Sequence, residues 1–490
     1  MKQQLKRGFC AVLCACVILC AAPSVRAARF IDVPAGHWAA ADIELCAQQG
    51  IMNGVSNTVF GLGIPLSRAA CLVTLSRFFG WEPADPAQLP YRDINPSGWY
   101  ASALAAAYRE GAVTEQNLFF RPDDPVTRGE FTALLIRALG YQVLSGLTEP
   151  AAFSDLSANA GYITVAHDIG LVNGNQGRFA PNQSTSREQA AAILARLYRK
   201  LHASPLRKMG IVSSSDGLWS SAQLNAAAVQ GGQLTGIQGD PIRYQLSAEE
   251  ADSLRVSVAS TGAQALLYLS GDTILWNALQ GVANAVWSGN YAGLLLELTG
   301  SSLDFARIQS LRGLLQNRSL YLIVPAPEQT DDDYPYAALA NLSDGLAIRV
   351  LGQSRLVNGF PTDPVEPLEE VYEALSTLFR ADAPALDASR CFLLLSTTGS
   401  QWVGDVQTGL VRGTDVESML REENVLNHYS ERYACAYLRR TAGDDAPEEV
   451  VWYLDARAVS TRTRLARLFG VGGIILSDAN GVSASFLSSL

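Results

Sequence analysis

Apolar positions recur along this chain in two rhythms, and the change falls near residue 205. Between 29 and 200 they follow helical spacing in short segments, each closed by a glycine. After 208, short apolar runs of strand length alternate with helical stretches, the pattern of a parallel β/α fold. Strands are predicted at Met209–Ser213, Leu234–Gln238, Ala265–Ser270 and Gly293–Leu298, then at Leu320–Val324, Leu346–Leu351, Phe392–Ser396 and Gly473–Ser477. Helices are predicted over Leu303–Leu315, Pro367–Phe379 and Ala456–Phe469. Eight such units over about 280 residues have the size and count of a TIM barrel. The longest excursion, between the seventh and eighth strands, holds two further strand-like runs, Ala434–Leu438 and Val450–Leu454.

The first rhythm is a repeat. Phe30-Ile-Asp-Val33, Tyr91-Arg-Asp-Ile94 and Phe153-Ser-Asp-Leu156 each precede a helical segment ending at Gly50, Gly111 or Gly170. A loop then reaches Phe60, Phe119-Phe120 or Phe179, and a hydroxyl-Arg pair opens a second helix: Ser67-Arg68, Thr127-Arg128 and Ser186-Arg187. Ser or Thr before an apolar-periodic run is an N-cap signal. The units are placed at 29–86, 90–147 and 152–200, with 208–490 as a separate barrel. The short stretch 201–207 is too brief for a long tether, so the two parts are expected to sit close together.

Composition adds a compartment. Met1 to Arg7 is basic, Phe9 to Ala22 is a short apolar core, and Ser24-Val-Arg-Ala27 offers small residues for cleavage, so 1–27 is an expected export leader. No membrane span is expected once it is removed. Cleavage would remove four of the eight cysteines and leave Cys46, Cys71, Cys391 and Cys435. Cys46 and Cys71 are expected to pack as small hydrophobes, with a disulfide between them left open. Four scattered histidines make no ligand spacing, so neither a metal nor another cofactor is implied. A net charge of −10 without a basic stripe argues against nucleic acid.

The repeats resemble the S-layer homology domain. The likeness is carried by Phe-x-Asp-Val, by Trp38-Ala39, by Gly50 to Gly54 and by Thr127-Arg-Gly-Glu130. It implies an all-α pseudo-threefold helical bundle that binds pyruvylated secondary cell-wall polysaccharide between repeats, at the bacterial cell wall or S-layer. By that resemblance Trp38 and Trp99 would stack on sugar, while Arg68, Arg128 and Arg187 would hold the acidic ketal, a task suited to a planar guanidinium. Three departures stand out. Ala70 replaces the usual Glu, Glu115 replaces a glycine, and the third repeat has Tyr162 but no Trp. Two good grooves and one degraded groove are therefore expected.

In the barrel the informative run is Tyr291-Ala-Gly-Leu-Leu-Leu-Glu-Leu-Thr-Gly300. Alternation puts Leu295, Glu297 and Thr299 on one face and Leu294, Leu296 and Leu298 on the other. A carboxylate in such a run does chemistry, pairs with a cation or marks a former site, because an unpaired buried charge is costly. The segment resembles a family-18 glycoside hydrolase of the spore-germination and cell-wall type. Tyr291-Ala-Gly293, Tyr334 to Leu339, Pro367 to Tyr372, Trp452 to Arg457 and Gly473 to Leu476 carry the likeness. The catalytic motif departs from it. The family's four acidic positions fall at Ala292, Leu295, Glu297 and Thr299, so a threonine stands where the general acid belongs. The strand-six tyrosine falls at Leu351 and the strand-eight tryptophan at Ser477.

A hydroxyl is far too weak an acid to protonate a leaving glycosidic oxygen. The expected protein is a wall-anchored carrier of an inactive glycosidase-like barrel that binds an amino-sugar glycan such as peptidoglycan. The alternative is an active glycosidase with Glu297 as relocated acid. Glu297 and Arg349 are expected to form a structural ion pair. Trp402, following the seventh strand, is the expected cleft aromatic, while Trp276 and Trp287 are expected in the core.

Overall fold

The computed structural model describes residues 30–490 except 115–116, 147–152, 157, 217–222, 238–239, 353, 358, 381–385, 441–446, 483–485 and 488. The leader and Glu115 lie outside the described residues.

From 30 to 201 six α-helices run in pairs: α1 (Ala40–Gln48) and α2 (Arg68–Phe79), α3 (Ala101–Arg109) and α4 (Arg128–Ala138), α5 (Ala160–Asp168) and α6 (Arg187–Leu201). The second helix of each pair starts where its hydroxyl residue accepts from the backbone three residues on, at Ser67, Thr127 and Ser186. Glu130 and Gln189 return a bond to the cap, whereas Ala70 cannot. Gly50, Gly111 and Gly170 all sit near φ +70°, which only glycine adopts cheaply, so each first helix stops there.

The segment is not purely helical, because β-bridges between units join Pro65 to Ser186, Ser67 to Pro125 and Thr127 to Ser184. The backbone bonds beside them close a ring. Val126 donates to Leu66, Leu66 to Thr185, and Thr185 back to Val126, at 2.8–2.9 Å. The recurring aspartates explain the Phe-x-Asp motif. Asp32 accepts the N–H groups of Phe60 and Gly61, Asp93 those of Phe120 and Arg121, and Asp155 those of Phe179 and Ala180. Each fixes a loop whose phenylalanine packs on the aromatic two residues before the aspartate, with ring centroids 5.5–5.8 Å apart. Cys46 and Cys71 are buried free thiols, pushed up to about 12 by burial.

The remainder begins with β1 (Arg207–Val212), β2 (Ala226–Ile237), β3 (Asp240–Tyr244), α7 (Ala248–Ser260), β4 (Gln264–Gly271), α8 (Leu279–Ser288) and β5 (Gly293–Leu298). It continues through α9 (Phe305–Leu315), β6 (Ser319–Pro325), α10 (Tyr336–Leu342), β7 (Gly345–Arg349), β8 (Arg355–Val357), β9 (Phe360–Thr362), α11 (Leu368–Phe379) and β10 (Cys391–Leu395). Last come β11 (Thr398–Val403), β12 (Val406–Arg412), α12 (Gly413–Met419), β13 (Val425–Ser430), β14 (Cys435–Arg440), β15 (Glu449–Tyr453), α13 (Ala456–Phe469) and β16 (Gly473–Leu476).

The strands β1, β2, β4, β5, β6, β7, β10 and β16 pair in parallel, and β1 pairs with both β2 and β16, so the sheet closes into an eight-stranded barrel. Strands β11 to β15 form a separate five-stranded antiparallel sheet between the last two barrel strands. The second barrel strand differs from the sequence expectation. It enters the barrel at Ala226, through Ala226–Val229 against β1, and only its far end reaches Leu234, where it turns antiparallel to β3. The run Ala226-Ala-Ala-Val229 carries little strand signal because its residues are small. They are small because Ala226 and Ala228 face the crowded barrel interior.

That interior is a filled core of Met209, Ile211, Leu266, Tyr268, Leu295, Ile323, Phe392 and Ile475, distinct from the outer core under the helices. The two parts of the chain touch directly: Lys200 Nζ donates to Leu468, Arg464 to Leu139 and Tyr141 to Thr461 at 2.7–3.2 Å, and Tyr372 donates to Asp168 at 2.5 Å.

Candidate functional site

The three repeat arginines form a second ring. Arg68 Nε donates to the carbonyl of Phe120, Arg128 Nε to that of Phe179 and Arg187 Nε to that of Phe60, at 2.8–3.0 Å. Each guanidinium also lies 4.6–5.0 Å over that phenylalanine ring. Every arginine therefore reads the next unit in the cycle, never its own. The ring is unequal beyond that point. Arg68 also pairs with Glu130 at 2.9 Å, whereas the positions equivalent to Glu130 that Arg128 and Arg187 face are Gln189 and Ala70. Among the described residues neither of those arginines is held in an ion pair, although Arg187 also donates to the carbonyl of Asn53. All three are half-buried, and burial lowers the pKa of Arg128 and Arg187.

Trp38 and Trp99 stand 62% and 67% exposed, unusual for indoles with no core to join. Tyr162 is different. Arg137 stacks over its ring at 4.6 Å and donates to its hydroxyl, so its face is already covered. A groove of about 390 Å³ runs past Arg68 of the first unit, Tyr91, Phe119, Phe120 and Arg137 of the second and Asn159 of the third.

At the barrel's C-terminal mouth, Glu297 is 9% exposed on the interior face, directly above Leu295. Arg349 Nη1 lies 3.1 Å from its Oε1, and Tyr268 donates to its Oε2 at 2.5 Å. Both oxygens are engaged. Burial, followed by the Glu297 charge and hydrogen bond, raises the Tyr268 pKa, so the phenol stays protonated as the donor. Thr299 follows the end of β5 and donates its hydroxyl to Asp272 Oδ1 at 2.5 Å. Leu351, 49% exposed, and Ser477 sit on the rim of a cavity of about 520 Å³ that also receives Glu297 and Arg349.

The tryptophan expectations fail. Trp402 is buried at 6% exposure within β11, whereas Trp276 and Trp287 are 54% and 37% exposed. The residues after β10 turn straight into the antiparallel β11, so the indole packs into that sheet instead of lining the mouth. Sequence reasoning also missed the carboxyls brought to the cavity by the loop before α11. Asp363 accepts from Ser354, Ser400 and Gln407, and Glu366 accepts from the Ser396 N–H. Their signal lay in two acids flanking prolines in Asp363-Pro-Val-Glu-Pro367, which no strand or helix pattern absorbs.

Three segments, 29–61, 90–132 and 152–191, match the profile of the S-layer homology domain. The chain thus carries three S-layer homology domains joined to a TIM barrel, and those domains place it at the cell surface.

Curated relatives include an S-layer protein of Bacillus licheniformis, 27% identical over 250 residues, covering 49% of this chain and 27% of that protein. An endoglucanase of a Bacillus species is 27% identical over 276 residues, covering 54% and 27% respectively. An amylopullulanase of Thermoanaerobacterium thermosulfurigenes is 30% identical over 173 residues, 34% of this chain and 9% of that one. The chain thus spans 9–27% of the length of these relatives.

Solved structures aligned with it include a chitinase from Chromobacterium violaceum, at TM-score 0.46 and 16% identity, covering 58% of this chain and 98% of that one. A chitinase-like agglutinin from Robinia pseudoacacia aligns at TM-score 0.45 and 15% identity, with the same coverage. A spore cortex-lytic enzyme of Bacillus cereus aligns at 0.45 and 12%, covering 58% and 74%. The barrel assignment rests on the strand order and register above.

Proposed function

We propose that this protein is held non-covalently on cell-wall polysaccharide by its three S-layer homology domains and displays a glycosidase-like barrel that binds an amino-sugar glycan without cleaving it. The units at 29–86, 90–147 and 152–200 would act as one pseudo-threefold body, a reading supported by the two closed rings of bonds. Arg128 and Arg187, which make no ion pair among the described residues and feel Asp155, Asp32 and Glu188 only at longer range, suit an acidic ketal such as a pyruvyl group better than Arg68, which Glu130 already neutralises. Exposed Trp38 and Trp99 would supply the sugar platforms.

One observation carries the non-hydrolytic reading. The motif's acid position is Thr299, and the only carboxylate of the strand, Glu297, has both oxygens committed to Arg349 and Tyr268. A proton donor needs a carboxyl that is protonated near neutral pH and free to face the substrate. Neither oxygen of Glu297 is left free to face one.

The test uses the full chain. Chito-oligosaccharides and purified wall glycan are incubated with the parent and with Glu297→Gln, and reducing ends are counted. Binding to walls is compared before and after chemical removal of pyruvyl groups. Turnover abolished by Glu297→Gln would reverse the barrel reading, and undiminished binding to depyruvylated walls would reverse the ketal reading.

A further inference from the structure

A groove of about 710 Å³ lies on the outer flank of the barrel between α10 and α11, and it shares no lining residue with the cavity that receives Glu297. It exists because α10 is short. The crossover helices α7, α8, α9, α11 and α13 run for 10–14 residues, whereas α10 has 7. Pro335 at its N-cap blocks extension backwards, because the residue before a proline is driven out of the helical region. The chain from 327 to 335 crosses the flank as a loop and leaves open the space that another turn or two of helix would fill.

Two kinds of surface meet in that space. Pro327, Pro335, Ala337, Ala338, Leu378 and Leu386 make its walls apolar. Glu328, Asp331 and Asp332 also line it, all three exposed, and no Lys or Arg joins them. Glu373, exposed on α11, adds a fourth carboxyl. Partial burial and then the Glu373 charge raise the pKa of Glu328, and partial burial and then Glu369 raise that of Glu373. Each acid feels another acid and no cation.

The groove is preformed. The rings of Tyr334 and Tyr336 stack 4.8 Å apart, and the Tyr336 hydroxyl donates to the carbonyl of Pro325 at 2.9 Å. The Asp331 N–H donates to the Ser301 carbonyl and the Tyr334 N–H to that of Asp331, each at 3.0 Å. Tyr334 is 8% exposed and lines the groove, and its hydroxyl has no partner among the described residues, so this wall is not completed from inside the molecule.

We propose that this groove docks a basic amphipathic helix of a partner protein, with apolar side chains between α10 and α11 and Lys or Arg side chains on the carboxylates. The shape is that of missing helical turns, which suits a helix anchored at every third or fourth residue. The charge selects the occupant. An anionic wall polymer or an anionic membrane surface is repelled, and a neutral sugar brings no cation. A second copy of this chain, at net charge −10, is repelled as well. The reading is independent of what the barrel mouth binds.

The experiment titrates the full chain into a fluorescein-labelled peptide of Leu and Lys patterned as an amphipathic helix, read by fluorescence anisotropy. Two control peptides carry Glu for every Lys or Ser for every Leu. The Leu/Lys peptide should bind, and both controls should bind at least about tenfold more weakly. Ala338→Trp, which fills the groove, should weaken the Leu/Lys peptide about tenfold. Glu328→Gln/Glu373→Gln should weaken it about fivefold, and that loss should shrink as salt rises from about 0.05 M to about 0.5 M. Glu249→Gln/Glu423→Gln changes the net charge equally at exposed sites elsewhere and should leave binding unchanged.

No binding of the Leu/Lys peptide by the parent overturns the proposal. So does an equal loss in the two carboxylate pairs, or a Ser/Lys peptide held as tightly as the Leu/Lys one, since either means attraction to net charge alone. If circular dichroism shows Ala338→Trp misfolded, the two carboxylate pairs decide the matter, because all four groups are exposed.

Discussion

Arg349 reaches across the inside of the barrel from β7 to place Nη1 3.1 Å from Oε1 of Glu297 on β5, passing over the intervening β6. Tyr268 closes the other oxygen from β4. Three strands thereby converge on one carboxylate in a layer that would otherwise be apolar.

Breaking that pair on one side leaves a buried charge. Arg349→Leu should lower unfolding free energy by about 3–5 kcal/mol in urea titrations, because the largely buried Glu297 loses its counter-charge. The double variant Glu297→Leu/Arg349→Leu should recover most of the loss, since apolar pairs of similar volume replace buried ion pairs well. A single variant as stable as the parent would mean that the carboxylate is solvated.

Wall binding should separate the repeat residues by kind. Trp38→Ala and Trp99→Ala should leave stability within about 0.5 kcal/mol, because both side chains are mostly exposed. Sedimentation with purified walls should nevertheless drop. Arg128→Gln and Arg187→Gln should weaken sedimentation more than Arg68→Gln, whose arginine already has Glu130. The reverse order would place the anion at the first groove instead.

The Glu366 carboxyl also predicts a pH profile for folding. Burial raises its pKa from 4.5 to about 8 in the folded state, so the folded chain binds the proton more tightly than the unfolded chain. Its stabilising contribution is then complete below the unfolded value and is lost as pH rises towards and through about 8. Over that window the parent should lose stability relative to Glu366→Gln, by on the order of a few kcal/mol. Chemical denaturation of both at matched pH values reads the difference, and parallel curves would show that Glu366 does not titrate there.

The seam between the repeats and the barrel should matter for cooperativity. Tyr372→Phe removes the donor that Asp168 accepts at 2.5 Å and should cost about 2 kcal/mol, since the acceptor is a carboxylate. Scanning calorimetry should give one transition in the parent and a broader or split one in the variant. Two separated transitions in the parent would show that the seam contributes little.

Much of this architecture was legible before any coordinates. The repeat, its caps and the parallel strand succession follow from local signals: hydroxyl caps at Ser67, Thr127 and Ser186, terminating glycines, and apolar runs of strand length. Such signals survive in sequence because hydrogen bonds within a few residues generate them. The second barrel strand was misplaced because Ala226 and Ala228 are small for a reason lying across the barrel. Trp402 was misjudged because whether a residue after a strand lines the mouth or joins a new sheet depends on pairing with β15, about fifty residues away.

The sequence by itself determined that Glu297 lies alone among apolar residues in its strand, with Thr299 two residues on, since composition and alternation are written in order along the chain. Only the tertiary structure decided that each repeat arginine reads its neighbour's phenylalanine, that Arg68 meets Glu130 while Arg128 and Arg187 make no ion pair among the described residues, and that Glu366 sits on a backbone held by Arg462. Those facts join residues from about fifty to more than a hundred positions apart. The partner of a charge is set by what folding brings within a few ångströms, and the order of residues along the chain does not record that distance.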